Sequence, residues 1–66
     1  MLRLTRLREE KGLNKTRLGQ LASVHPAYVG QIESGRVVPY PRTVKRLAKA
    51  LGWKGDPEEL LEEVAE

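Results

Sequence analysis

Three residues, Ser23, Val24 and His25, are all that separate two short segments whose apolar side chains recur at helical spacing. Before them, Asn14 is a good N-cap for a helix from Lys15 to about Ala22. Leu18, Leu21 and Ala22 fall there at i, i+3 and i+4 and predict a buried stripe. After them, Pro26 suits the first position of a second helix, where its missing N–H would lack an intrahelical partner anyway. Val29 and Ile32 would face the core, Val24 would help set the angle at which the chain enters, and Gly35 would end the helix by accepting positive φ. So short a join between helices of this length forces a steep crossing.

The flanks also read as helices. Residues 2–11 carry Leu4 and Leu7 on one face, with Gly12 as the stop. The stretch RVVPYP, from Arg36 to Pro41, is a loop stiffened by two prolines. A fourth helix runs from about Pro41, with Val44, Leu47, Ala48 and Leu51 at i, i+3, i+4 and i+7 and Gly52 closing it. DPEE then predicts a fifth helix over Pro57–Val64: Asp56 caps it, Glu59 completes a capping box, and Leu60, Leu61 and Val64 make its apolar side. Strand signals, repeats and low-complexity segments are absent. The expected fold is all-α, five short helices in a single domain over residues 1–66.

A chain of 66 residues lies near the lower size limit for a core that folds unaided. It has no cysteine, so neither a disulfide nor a thiolate zinc site is available. One histidine (His25) and one aspartate (Asp56) leave little material for a metal, and no cofactor is expected. Stability must come from tight helix packing, a partner subunit, or both. No apolar run approaches the roughly 18 residues of a membrane span and no signal-peptide pattern opens the chain, so a cytoplasmic protein is the default expectation.

The net charge of +3 conceals an asymmetry. All 12 Lys and Arg lie in residues 1–54, opposed only by Glu9, Glu10 and Glu33, a net of +9; Asp56, Glu58, Glu59, Glu62, Glu63 and Glu66 make the last 12 residues −6. A basic body of this size suits a polyanion, because Lys and Arg that neutralise phosphates release condensed counterions. The same composition also fits a solvated mixed-charge surface.

From Leu13 to Gly35 the chain reads LNKTRLGQLASVHPAYVGQIESG. This resembles the helix-turn-helix of the phage-repressor and Cro type, approximately L-T-Q-x-x-L-A-x-x-x-G-V-S-x-x-x-I-S-x-I-E-x-G, in register and without a gap. RLREEKGL (Arg6 to Leu13) is similar to that family's first helix, and PYPRTVKRLAKALG (Pro39 to Gly52) to its P-x-x-x-T-L-x-x-L-A-x-A-L-G segment. The resemblance covers about residues 4–52 and leaves the acidic end outside. There are departures: Lys15 stands for the family's glutamine, Gly19 for a small alanine at a helix cost of about 1 kcal/mol, and Ser23 for the turn glycine. Serine adopts positive φ less readily than glycine.

The resemblance implies that the helix at 26–34 lies in the major groove of double-stranded DNA with its N-terminal half toward base edges. By position, the facing residues are His25, Pro26, Ala27, Tyr28 and Gln31. Gln31 can pair with adenine N6 and N7 together, and the Ala27 methyl suits a thymine methyl. Pro26 fits a purely geometric role. His25 stands at a capping position for which histidine is a poor residue, so either another group satisfies those amides or the ring reaches the DNA. Tyr28 either meets the sugar-phosphate backbone or packs against the second helix. Phosphate contacts are expected from Asn14, Lys15 and Thr16 at a helix N-terminus, and from Arg36 and Arg42. Arg17, Lys45 and Arg46 read equally as solvated charges. Arg8 and Glu33 match a structural ion pair of the family.

Two functions follow. The first is a sequence-specific transcriptional regulator, a repressor occupying an operator as a homodimer in the cytoplasm, on the nucleoid. The second is an antitoxin or adaptor module that binds mainly another protein, for which the acidic C-terminal helix offers a surface. No nucleophile–base pair or carboxylate pair supports an enzyme. Trp53 and the last helix either cap the core, with Leu60 and Val64 inside, or supply a dimer contact near Trp53.

Overall fold

The computed structural model describes residues 1–65 and contains four α-helices and one 3-10 helix: α1 (Arg3–Glu10), α2 (Lys15–Ala22), α3 (Pro26–Glu33), α4 (Pro41–Leu51) and η1 (Pro57–Leu61). Glu66, the last residue of the acidic run, lies outside the described residues. The all-α class is as expected. Eight side chains form the sealed interior: Leu4, Leu18, Val29, Ile32, Val44, Leu47, Leu51 and Leu60. Each is contributed by the apolar stripe of its own helix, and burial of such a side chain stabilises by about 1.5–3 kcal/mol. α2 packs on α3 and α4, while η1 packs chiefly on α4 and α1.

Leu21 departs from the expected stripe, being 46% exposed. It borders a shallow groove with Ala22, Ser23, Arg46, Lys49 and Ala50, because the steep approach of α3 covers the Leu18 and Ala22 side of α2 and leaves its flank open.

The C-terminal element also differs. Instead of an α-helix over Pro57–Val64, a 3-10 helix ends at Leu61 and Glu62 turns extended, with φ −77° and ψ 145°. The Asp56 side chain does cap it, accepting from the Glu58 N–H at 3.0 Å. What stops the helix is pairing with the start of the chain. Arg3 N–H donates to the Glu62 carbonyl and Val64 N–H to the Met1 carbonyl, each at 2.8 Å, around an antiparallel bridge between Leu2 and Glu63. Backbone groups that a helix would have satisfied locally are satisfied by the N-terminal segment. Leu60 is inside the core and Val64 half-buried, so this end of the chain closes the interior. Trp53 is held in place as well. Its indole N–H donates to the Asp56 carbonyl at 3.0 Å, and the Arg3 guanidinium lies 5.6 Å from the ring centroid.

The join between α2 and α3 depends on two residues that depart from the family pattern. Ser23 keeps the left-handed backbone, φ 58° and ψ 43°, despite its side chain. Gly19 lets the turn close. Its carbonyl accepts from Val24 N–H at 2.8 Å, and a Cβ there would collide with the Val24 carbonyl oxygen and lie 3.3 Å from the Pro26 nitrogen. The helix-weakening glycine is what allows Val24 and Pro26 to sit directly on α2.

Candidate nucleic-acid interface

α3 owes its position to a frame at its far end. Glu33 is only 6% exposed and Arg8 11%. The Arg8 guanidinium donates to both carboxylate oxygens of Glu33, at 2.8 and 3.1 Å, and to the Leu13 carbonyl at 2.9 Å. One side chain thus ties α1, the α1–α2 turn and α3 together. The Glu33 hydrogen bond holds the Arg8 pKa above its ordinary value, outweighing the opposite effect of burial. The expected structural pair is present.

The leading end of α3 is where the expected readers converge. His25, Ala27 and Gln31 are exposed, Pro26 and Tyr28 half-buried. His25 is itself the cap: the Ala27 N–H donates to its Nδ1 at 3.0 Å. The expectation that histidine would cap poorly is thereby corrected, since the imidazole nitrogen reaches the amide as a serine oxygen would. Tyr28 packs its ring against the core, and its hydroxyl has no partner among the described residues. The Gln31 side-chain amide likewise makes no hydrogen bond there, although the Gln31 backbone carbonyl accepts from the Ser34 hydroxyl at 3.1 Å.

The N-termini of α2 and α4 differ from that of α3 in leaving amides open. At α2, the Asn14 side chain caps the Arg17 N–H at 2.7 Å, and the amides of Lys15 and Thr16 carry no hydrogen bond among the described residues. Asn14 therefore spends its side-chain oxygen on the helix, and an anion would meet the two amides beyond it. The Lys15 side chain runs across Gly30 of α3, and a Cβ at Gly30 would be 3.8 Å from its Cδ and Nζ. Its ammonium is thus carried toward the exposed face of α3. At α4, Tyr40 has no side-chain cap, but its ring lies 5.3 Å beneath the Arg42 guanidinium. Sequence reading passed over Tyr40. The signal was an aromatic two residues before an arginine, with Pro41 between them fixing the first helical φ.

Charge divides the molecule. Every ion pair among the described residues uses the N-terminal ammonium or an arginine of α1: Met1–Glu63, Arg3–Glu62, Arg6–Glu10, Arg8–Glu9 and Arg8–Glu33. The remaining nine basic residues, from Lys11 to Lys54, are all exposed and none has a carboxylate partner among the described residues. They include Lys15, Arg17, Arg36, Arg42, Lys45 and Arg46. The acidic end neutralises the start of α1 and leaves the other faces basic.

A short α2, a three-residue turn and a steeply crossing α3 with an exposed polar end, flanked by cations without carboxylate partners among the described residues, define a helix-turn-helix domain, a DNA-binding architecture. Residues 2–61 match the helix-turn-helix domain family, and the chain belongs to it. The match agrees with the resemblance to the repressor and Cro type and extends beyond residues 4–52 into η1. No curated protein and no solved structure gives a significant match.

Proposed function

We propose that this protein is a sequence-specific regulator of transcription that occupies a DNA operator with α3 in the major groove. The observation that carries the reading is the segregation of charge. Nine exposed cations from Lys11 to Lys54 lack carboxylate partners among the described residues, while the acids that do pair meet the N-terminal ammonium or the arginines of α1. Lys and Arg held unpaired around an open helix N-terminus favour phosphate. Gln31, Ala27 and His25 would meet base edges. Lys15, Thr16, Arg36 and Arg42 would meet the backbone, with Tyr40 holding Arg42 in place. Binding as a homodimer would place half-sites about 34 Å apart, one helical turn. Val38, 86% exposed, and Tyr40, 66% exposed, are apolar surface available to such a contact. Repression by occupancy in the cytoplasm completes the proposal.

Duplex affinity measured against salt tests it. Log affinity should fall linearly with log salt, with a slope near −0.9 per phosphate neutralised. A flat response, or no binding at low salt, would overturn the proposal in favour of a module that docks on another protein.

A further inference from the structure

We propose that His25 serves with both ring nitrogens: Nδ1 caps α3, and the Nε2–H that this capping fixes reads a guanine edge in the major groove. The inference rests on the duplex-binding reading above and adds a base and an atom to it.

The cap determines the tautomer. A ring nitrogen that accepts from the Ala27 N–H at 3.0 Å carries no proton, so the neutral imidazole holds its single proton on Nε2. The ring is exposed and Nε2 has no partner among the described residues. The cap also holds the ring still, so the donor is oriented before DNA arrives and little side-chain freedom is lost on contact.

The rest of the α3 N-terminus is closed. Pro26 has no N–H, the Ala27 N–H is taken by the imidazole, and Tyr28 and Val29 donate to the His25 carbonyl at 2.9 and 3.2 Å. No amide is left for a phosphate there, in contrast to α2, where those of Lys15 and Thr16 are open. Hydrogen bonding at the leading end of α3 therefore rests on side chains, and the donor that the cap presents is His25 Nε2–H. Guanine offers N7 and O6 as adjacent acceptors, whereas adenine sets a donor beside its N7. A single fixed donor is satisfied over a wider range of approach at guanine. Gln31, one turn on, has both a donor and an acceptor and suits adenine.

The test joins a spectrum with a binding series on the intact chain. His25 is the only histidine, so long-range proton–nitrogen correlations of the free protein report this ring alone. The expected neutral form has its proton on Nε2, and a proton on Nδ1 would overturn the proposal. A preferred duplex is then selected from random sequence, and wild type is compared with His25→Asn. Asparagine is among the best capping residues, and with its oxygen on the cap its shorter amide falls short of the position that Nε2 occupies, so the helix is kept while the donor at that position is lost. The variant should keep its thermal midpoint. It should lose a guanine preference of about tenfold at one position of the preferred site, the size of one well-placed hydrogen bond. A selected site with no guanine, or a guanine preference that His25→Asn retains, would overturn the role of His25 while leaving duplex binding intact. Failure of the wild type to bind any duplex at low salt would overturn both.

Discussion

The guanidinium of Arg8 holds the carboxylate of Glu33 through two hydrogen bonds of 2.8 and 3.1 Å, with both side chains nearly enclosed. The contact spans 25 residues of chain and anchors the end of α3 opposite to His25. Such a pair is weak evidence of net stability, since two charges were desolvated to make it. Its consequence is positional, and removal of one partner strands the other.

Glu33→Ala should therefore destabilise the domain by about 3 kcal/mol, because the Arg8 guanidinium stays enclosed without its anion. Replacing both residues, Arg8→Met with Glu33→Leu, should recover most of that loss. Urea unfolding of the wild type and the two variants measures it, and a cost of Glu33→Ala below about 1 kcal/mol would show that the pair is solvated and incidental.

Two glycines in helices should respond in opposite directions to the same change. Gly19→Ala places a Cβ against the Val24 carbonyl and near the Pro26 nitrogen, so the turn must shift, at about 1–3 kcal/mol. Gly30→Ala meets only Lys15 side-chain atoms at 3.8 Å, an ordinary contact. It should gain about 0.5–1 kcal/mol from helix propensity. Thermal unfolding of the pair separates a steric requirement from a mere lack of side chain, and equal shifts would contradict the assignment.

Ser23→Gly should stabilise by about 0.5–1 kcal/mol, since φ 58° is strained for serine and free for glycine. Ser23→Val should do the reverse, being β-branched in the left-handed region. Denaturant midpoints that rank valine above glycine would mean that the turn is not left-handed in solution.

Leu60→Ala should cost about 3 kcal/mol, the usual loss for a sealed leucine, here 1% exposed in the cluster with Leu4 and Leu51. A chain whose stability is barely altered would show instead that η1 is a detachable docking element for a partner.

Helices α1 to α4 were legible because each carries its own apolar period and its own punctuation. Asn14, Pro26, Gly35 and Gly52 act within a turn of where they stand, so local chemistry sufficed to place the boundaries. The Arg8–Glu33 tie was legible through the family resemblance, not through spacing. His25, Ala27 and Gln31, proposed to read bases, were singled out by the same resemblance; all three are exposed, His25 as the N-cap of α3 and the other two within it.

What the sequence determined by itself was the set of helices and the short join that makes two of them cross. Tertiary structure decided the features that depend on residues far apart in the chain. The end after Leu61 gave up its helix because Met1 and Arg3 offered backbone partners that no local pattern announces. Gly19 was legible as a weak helix residue, but its purpose appears only where the Val24 carbonyl closes over it. Leu21 has the right period and the wrong neighbours. Periodicity reports which face of a helix is apolar; only packing decides how much of that face another element reaches.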